Sequence, residues 1–386
     1  MKKIYVDNSS TSFPKAPGVS DAIKDFLDNV GCNINRGGYE SSYNLALEIL
    51  DTRKQICELF GFNNPRNVIF TPGITYSLNM ILKGFLKEGD HVVTTSMEHN
   101  GVMRPLHELS KKGISFDIAS CNSDGSLNAG DIVKLINHKT KAVIMTHASN
   151  VCGTILPICD ISEVCKKHGI KLIVDSAQTA GVLDIDMSYI DALAFTCHKG
   201  LLAAQGLGGF LLKSEFADII EPIITGGTGS KSHEIIQPTV LPDKFEAGTM
   251  NIPAIIGFKK ALEYVKLIGI KTIFETEMRY AEKFLYEISK VNGIRIVGKS
   301  DLQDRIAVIS LDFINKDNAE IASVLDSEYG IMTRCGMHCA PAAHNTLQTY
   351  PQGTVRFSFG HFNTMQDIEY IIASIKEILD YGNSMR

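Results

Sequence analysis

The strongest constraint on the fold is an alternation of two periodicities between residues 64 and 212. Short β-branched and apolar runs are separated by segments in which apolar residues recur at helical spacing. Such alternation predicts β-α-β units, which place strands in parallel and cover both faces of the sheet with helices. The runs predicted as strands are 67–70, 91–95, 142–146, 172–175, 192–196 and 209–212.

The pattern changes beyond residue 250, and the change predicts a second, smaller unit. Helical patterns and strand candidates follow in the order 254–268, 273–291, 293–298, 306–312 and 365–381. A chain of 386 residues is also longer than one hydrophobic core usually organises. We therefore expect an α/β protein with an N-terminal segment (1–15) that packs with the small domain, a large domain (16–252) and a small α+β C-terminal domain (253–386).

Charge and cysteine content narrow the possible functions. The formal net charge is -5, and no dense Lys/Arg run suggests a nucleic-acid or membrane partner. The residues from Met1 to Asp7 contain too few apolar side chains for a signal-peptide core. Nine cysteines without paired spacing fit reduced thiols better than disulfides. Small-molecule chemistry in the cytoplasm is the resulting expectation.

Two charged residues follow neighbouring predicted strands. Asp175 ends the run 172–175, and Lys199 lies just beyond the run 192–196. Both should therefore lie at the carboxyl edge of the sheet. A buried strand-end carboxylate needs a cation or hydrogen-bond donors. Pyridoxal phosphate meets that need, because a carboxylate keeps its ring nitrogen protonated while a lysine forms the Schiff base. For Lys199 alone, an ordinary surface lysine is the alternative.

Two further segments fit the same cofactor. Gly73, Ile74 and Thr75 open a predicted helix, where backbone N–H groups, the helix dipole and a hydroxyl favour a phosphate. His99 follows the strand 91–95 and could stack on a cofactor ring. A plain helix cap and a capped loop histidine are the respective alternatives.

A separate cluster of reactive residues lies near the C-terminus. Arg334, Cys335, His338, Cys339 and His344 fall within a short segment that also contains Gly and Pro. Cationic neighbours favour the nucleophilic thiolate form of a cysteine. The spacing lacks the paired clusters of a zinc site, so we expect no metal. A buried, inert cysteine is the remaining alternative.

One arginine in the last predicted strand is a candidate for substrate binding. Arg356 lies in the alternating run 354–359. A guanidinium can hold a carboxylate through two parallel hydrogen bonds, which suits an amino-acid substrate. A solvated arginine on the face of the strand is the alternative.

Taken together, these residues resemble the class V aminotransferase superfamily of fold-type I pyridoxal-phosphate enzymes, specifically the Suf-type (group II) cysteine desulfurase and selenocysteine lyase family. The resemblance spans nearly the whole chain. Its markers are Tyr5-Val6-Asp7-Asn8, Arg36-Gly37, Gly73-Ile74-Thr75, Glu98-His99, Ser149-Asn150-Val151-Cys152-Gly153, Asp175-Ser176-Ala177-Gln178, His198-Lys199, Phe245-Glu246-Ala247-Gly248-Thr249, Arg334-x-Gly-x-His338-Cys339-Ala340 and Arg356.

The resemblance implies a set of cofactor contacts. Lys199 would be the Schiff-base lysine, Asp175 would pair with the pyridinium nitrogen, His99 would stack on the ring and Gln178 would bind the ring hydroxyl. The phosphate contacts within one subunit would be Gly73, Ile74, Thr75, Thr196 and His198. Thr249 resembles the residue that reaches the phosphate of a neighbouring subunit, which implies a homodimer.

The resemblance also implies a reaction. Asn150, Arg334 and Arg356 would bind the substrate L-cysteine, with Arg356 on its carboxylate and Arg334 near the nucleophile. Lys199, His99 and Cys339 would be catalytic: Lys199 would remove the Cα proton, His99 or His338 would manage protons on the thiols, and Cys339 would take the sulfur as a persulfide, leaving L-alanine. A sulfur-acceptor protein is a possible further partner. Cys335 is interpreted as a passive neighbouring thiol, with a persulfide relay as the alternative.

Three other functions remain open from the sequence. A selenocysteine lyase would use the same residues without an obligatory thiol. In an ordinary aminotransferase or a kynureninase-like enzyme the cysteine at position 339 would be incidental. A non-catalytic protein that kept the fold would lack the absorption of the lysine-bound cofactor.

Overall fold

The computed structural model of the chain describes residues 2–34 and 37–384, with side chains as far as residue 380. Arg36, one of the family markers, lies outside the described residues. The strands are β1 (Ile4–Tyr5), β2 (Val68–Thr71), β3 (His91–Thr95), β4 (Ser115–Ala119), β5 (Thr140–Thr146), β6 (Lys171–Asp175), β7 (Ala192–Thr196), β8 (Gly208–Leu212), β9 (Ile294–Val297), β10 (Val308–Phe313), β11 (Ile331–Met332), β12 (Arg334–Gly336) and β13 (Thr354–Ser358).

The helices alternate with the strands in the first half of the chain and flank them in the second. They are α1 (Val19–Asp25), α2 (Glu40–Leu59), α3 (Ile74–Phe85), α4 (Asn100–Ser110), α5 (Ala129–Val133), α6 (Ile158–His168), α7 (Ser214–Ile219), α8 (Ile252–Ile268), α9 (Ile270–Ile288), α10 (Asn318–Ser327), α11 (Pro341–Thr346) and α12 (Met365–Ser384). In the described ranges, no helix has the length and apolar character needed to cross a bilayer.

A seven-stranded sheet forms the larger unit, in the order β2-β8-β7-β6-β5-β3-β4. Its strands pair in parallel except β8, which runs antiparallel to β2 and β7. This confirms the predicted α/β class and the mostly parallel sheet. The edge strand β4 was not among the predicted strands, because its mixed polar and apolar side chains are largely exposed and do not give a buried-strand pattern.

The central strands are apolar along their whole length because both faces of the sheet are covered. In β5, Val143 and Met145 belong to one buried cluster, whereas Ala142 and Ile144 belong to another on the opposite face. This alternation is the period-2 geometry of a strand between two helical layers. Burial on both faces leaves the carboxyl ends of the strands as the place where polar groups can collect.

The C-terminal part forms an antiparallel sheet in the order β12-β13-β10-β9. The N-terminal segment joins it, because β1 pairs in parallel with β11 and the side chains of Ile4 and Val6 lie in the small-unit core. The helix α8 packs against α1 and α2 and adds its apolar side chains to the core of the larger unit. The domain boundaries near residues 15 and 252 stay predictions.

Arg305 joins the two units through backbone carbonyl groups. The residue is 1% exposed, and no carboxylate of the described residues forms an ion pair with it. Its guanidinium donates to the carbonyls of Lys299 at 2.5 Å, Val308 at 2.8 Å, and Asp301 and Cys152 at 3.3 Å. The Cys152 carbonyl belongs to the larger unit, in the loop after Asn150. Arg305 therefore fixes that loop against the small unit.

Replacing Arg305 by methionine is expected to lower the free energy of unfolding by about 3 kcal/mol, because several buried carbonyls lose their donor. Urea denaturation followed by circular dichroism measures the change. The matched control is Arg295→Met, since Arg295 pairs with Asp312 at 3.0 Å but is part-exposed. We expect about 1 kcal/mol or less for the control. Equal losses in both variants would contradict a special role for Arg305.

Candidate active site

Asp175 and Lys199 lie at the carboxyl edge of the large sheet, as the sequence predicts. Asp175 ends β6 and is 3% exposed, and its Oδ1 accepts a hydrogen bond from the Ala177 amide at 2.8 Å. Burial raises the pKa of Asp175, and the nearby Lys199 opposes this effect. Burial lowers the pKa of Lys199 to about 8. A buried carboxylate of this kind fits a cationic ring nitrogen.

His99 caps the helix α4 in a defined tautomer. Its Nδ1 accepts a hydrogen bond from the Gly101 amide at 2.9 Å. Burial, and then the charge of Lys199, lower the pKa of His99 to about 4. The ring is therefore neutral at pH 7 and carries its proton on Nε2. A neutral, half-buried imidazole beside Lys199 is suited to packing on an aromatic ring.

Glu98, directly before His99, is a buried acid that fixes the end of β3. Its Oε1 accepts hydrogen bonds from the Thr95 hydroxyl at 2.5 Å and the Thr146 amide at 3.0 Å. Burial raises the pKa of Glu98 to about 8, so that the group is mostly uncharged at neutral pH. The contact with Thr146 ties β3 to β5 at the strand ends. It thereby sets the position of His99.

The predicted phosphate cradle combines a helix start with two residues after β7. Gly73 caps the helix α3 without a side-chain hydrogen bond, so the amides of the first turn stay open to a ligand. Thr75 is exposed at this turn, and Thr196 is buried at the end of β7. In the described part of the chain, the buried Nδ1 of His198 has no hydrogen-bond partner. The open amides, the two threonine hydroxyls and the free His198 nitrogen are groups that can hydrogen-bond to a phosphate.

Gln178 and Thr249 occupy different surroundings. Gln178 is buried beyond β6, and its Nε2 donates to the Ser9 carbonyl at 3.2 Å. Thr249 is exposed and lines a groove together with Thr71 and Tyr76. Gln178 thus follows Asp175 closely in the chain and lines a cavity with Lys199, whereas Thr249 is exposed.

Cys339 is an exposed thiol that the fold holds next to His99. Its carbonyl accepts a hydrogen bond from the Asn100 amide at 2.8 Å, and Arg334 Nη2 lies 3.7 Å from its Sγ. His338 and Cys339 both have left-handed backbones, with φ of 48° and 57°. This strained turn carries the thiol out of the small-unit core, into solvent and beside a cation.

His338 supports the Cys339 turn through a chain of donors. The Ser310 hydroxyl donates to the Val151 carbonyl at 2.6 Å, and the Thr354 hydroxyl donates to Ser310 at 3.0 Å. Thr354 must then accept the remaining bond, at 3.0 Å, from His338 Nε2. Burial lowers the pKa of His338 to about 2. The ring is therefore neutral, and its one proton is used in holding the turn.

Arg356 lies on β13, opposite Arg334 on β12. It is 1% exposed and donates to the Asn150 carbonyl at 3.0 Å, to Asp7 Oδ1 at 2.6 Å and to the Ser10 hydroxyl at 2.8 Å. Asn150 in turn donates through Nδ2 to the His338 carbonyl at 2.8 Å. The structure thus brings Arg356 and Asn150, two of the predicted substrate residues, into one network.

Cys335 faces away from this network. It alternates with Arg334 along β12 and packs against the small-unit core, and burial raises the pKa of its thiol. This placement agrees with a passive thiol and disfavours the persulfide relay. Among the residues in the described ranges, no group of three or more His, Cys, Asp or Glu side chains is arranged to hold a metal.

Sequence reasoning gave no role to Asp7 or Ser10. Both belong to the N-terminal segment, more than 300 residues from the arginines that they contact. No local spacing can reveal such a contact. The marker Tyr5-Val6-Asp7-Asn8 drew attention to the segment, but only the pairing of β1 with β11 brings it to the site.

The chain is similar to known proteins over nearly its whole length. The family model for class-V aminotransferases matches residues 4–371. A probable cysteine desulfurase from Pyrococcus abyssi is 30% identical over 97% of this chain and 94% of its own length. One from Staphylococcus aureus strain Mu50 is 31% identical, over 98% and 92% respectively.

Solved structures give the same result. The apo structure of a cysteine desulfurase from Thermococcus onnurineus NA1 superposes with a TM-score of 0.92 at 28% identity, covering 98% of this chain and 95% of that one. A cysteine desulfurase from Escherichia coli gives 0.88 at 25% identity, covering 98% and 94%. The match over nearly the full length of both partners shows that the chain belongs to the class-V aminotransferase family, in its cysteine desulfurase branch.

Proposed function

We propose that the protein is a pyridoxal-phosphate-dependent cysteine desulfurase, which converts L-cysteine to L-alanine and takes the sulfur on Cys339 as a persulfide. The observation that carries the proposal is the position of the Cys339 thiol. It is exposed, lies 3.7 Å from Arg334 Nη2, and is held next to the His99 helix cap by Asn100. An incidental cysteine would need neither the cation nor the strained turn.

The residues present fit the cofactor. Lys199 would hold it covalently, Asp175 would pair with its ring nitrogen, Gln178 would bind its ring hydroxyl and His99 would pack on its ring. The phosphate would be held by Gly73, Ile74, Thr75, Thr196 and His198. When bound, pyridoxal phosphate supplies an electron sink that stabilises negative charge at the substrate Cα.

Lys199 is the group suited to moving the Cα proton. Its pKa of about 8 leaves part of the amine neutral near neutral pH, where an unperturbed lysine is almost wholly charged. Burial is the main cause, so exclusion of water keeps this amine reactive. His99 is neutral with its proton on Nε2. It can therefore donate a hydrogen bond to the substrate, but it adds no positive charge to the site.

Arg356 and Asn150 are suited to orienting the substrate. Arg356 Nε is buried and has no hydrogen-bond partner among the described residues, so it can donate to a carboxylate. The Cys339 thiolate then attacks the substrate sulfur. One C–S bond breaks and one S–S bond forms, so a thiol and cysteine give a persulfide and alanine without an external oxidant. An acceptor thiol, on a small molecule or a sulfur-acceptor protein, must then remove the sulfur.

A homodimer is part of the proposal. Thr249 lies in an outward-facing groove with Tyr76 and Ile224, both of which are exposed. Such a surface is suited to contact with a second copy, in which Thr249 would reach the other subunit's phosphate. A cytoplasmic location is also proposed, because all nine cysteines are free thiols.

The test is product analysis with the purified wild-type holoenzyme. Incubation with L-cysteine and a reducing thiol should give alanine and sulfide in equal amounts. Removal of the cofactor should stop both, and its return should restore them. Absence of alanine from the reconstituted holoenzyme would refute the proposed function.

A further inference from the structure

The Ser10 hydroxyl lies between the two arginines of the site. Arg334 Nη1 donates to Ser10 Oγ at 2.9 Å, and Arg356 Nη2 donates to the same oxygen at 2.8 Å. Ser10 Oγ is also 2.8 Å from Asp7 Oδ1. One hydroxyl oxygen therefore connects the residue proposed to bind the substrate carboxylate with the residue beside the thiol.

The direction of each hydrogen bond follows from the chemistry of the groups. A guanidinium can only donate, so both arginines use the lone pairs of Ser10 Oγ. The Ser10 hydroxyl then donates its single hydrogen bond to the Asp7 carboxylate. Ser10 makes every hydrogen bond available to a hydroxyl. Its position, and the positions of both guanidinium groups, are thereby mutually fixed.

The charges around Ser10 are unequal. Arg356 pairs with Asp7 at 2.6 Å, whereas Arg334 has no carboxylate within ion-pair distance in the described part of the chain. Among the side chains that the structure describes, Arg334 is hydrogen-bonded to Ser10 and, through Nη2, to Cys339. With Nη1 held by Ser10, the uncompensated charge of Arg334 is directed at the sulfur.

The N-terminal segment does not need the Ser10 side chain to stay in place. Asn8 Nδ2 donates to the Ser358 carbonyl at 2.9 Å, and the Ser12 amide donates to the His198 carbonyl at 2.8 Å. The strand pairing of β1 with β11 adds a third attachment. Removal of the Ser10 hydroxyl should therefore leave the segment in position while releasing Arg334.

We propose that Ser10 is a positioning residue, whose hydroxyl holds the Arg334 guanidinium against the Cys339 sulfur and so promotes the reactivity of that sulfur. This inference rests on the proposed function of Cys339 as the sulfur acceptor. It adds a third partner, from the other end of the chain, to the pair formed by Arg334 and Cys339.

The experiment measures alkylation of Cys339 in the holoenzyme by neutral iodoacetamide and by anionic iodoacetate, with peptide mass spectrometry to assign the site. In Ser10→Ala, the rate of alkylation by iodoacetamide should fall about two- to five-fold, which is the effect expected for loss of a partly exposed charge contact. The iodoacetate rate should fall further, because a displaced Arg334 no longer attracts the anion. Cys159, the other exposed thiol, is the internal standard and should not change.

Further variants separate positioning from a structural effect. Ser10→Thr keeps the hydroxyl and should retain both rates. Ser9→Ala is the matched control, because the Ser9 hydroxyl forms no hydrogen bond within the described ranges. Arg334→Met should lose all of the rate enhancement that the guanidinium gives to Cys339 alkylation. Adding Ser10→Ala to Arg334→Met should have no further effect on the rates, since Ser10 acts through Arg334.

Each outcome supports or overturns the inference. Unchanged alkylation in Ser10→Ala, an equal rise with both reagents, or an additive effect on top of Arg334→Met would overturn it. Kinetics of Ser10→Ala with L-cysteine should show a lower kcat with KM changed less than about two-fold, because Arg356 keeps its hydrogen bonds to Asp7 and Asn150. Alkylation does not require turnover, so failure of the proposed function would appear separately, as absence of alanine from the wild type.

Discussion

Lys199→Ala is expected to lose the visible absorption band of the lysine-bound cofactor and to form alanine from L-cysteine about a thousandfold more slowly, or not at all. The substitution removes both the proposed covalent attachment and the amine proposed to take the Cα proton. Lys199 is buried at the end of β7, close enough to Asp175 for the two charges to interact. Absorption spectra and alanine quantification measure the two effects.

The proposed phosphate contacts do not include Lys199, so the variant should still bind the cofactor non-covalently. Borohydride reduction followed by peptide mass analysis distinguishes the two modes, since only the wild type should carry the cofactor on the peptide containing residue 199. The control is Lys213→Ala, because Lys213 follows the neighbouring strand β8 and its ammonium group donates to the Ser188 carbonyl. Retention of the reduced cofactor in Lys199→Ala would show that another residue holds it.

The larger unit could be predicted from the sequence because its signals are local. Each buried strand is a short apolar run, and each is followed within a few residues by its polar strand-end group. The general geometry of parallel sheets was therefore enough to predict that Asp175 and Lys199 lie at the same edge of the sheet. The same reasoning placed Gly73 at the start of α3.

The substrate side of the site could not be predicted in this way. Arg334 and Cys339 were predicted as one cluster and Arg356 as a separate candidate. The contacts of the two arginines with Asp7, Ser10 and Asn150 depend on how the small unit and the N-terminal segment pack. Long-range contacts of this kind leave no periodic signal. The tautomers of His99 and His338 likewise follow only from hydrogen bonds that the fold creates.

Cys339→Ser is expected to keep the cofactor absorption and to lose persulfide formation and alanine production from L-cysteine by about a hundredfold or more. A hydroxyl is a far weaker nucleophile toward sulfur than a thiolate beside Arg334. Mass analysis of the peptide containing residue 339 after incubation with L-cysteine should show one added sulfur in the wild type only. Cys335→Ser is the matched control and should retain activity, because Cys335 faces the small-unit core.

Comparison of the wild type with Cys339→Ser also distinguishes a cysteine desulfurase from a selenocysteine lyase, when L-cysteine and L-selenocysteine are supplied in parallel. Selenium leaves carbon more readily than sulfur, so alanine formation from selenocysteine need not depend on the thiol. Loss of activity with cysteine alone in Cys339→Ser would establish the thiol as the sulfur acceptor. If the wild type acts only on selenocysteine, and Cys339→Ser acts equally well, the protein is a selenocysteine lyase. The exposed thiol beside Arg334 would then have no part in turnover.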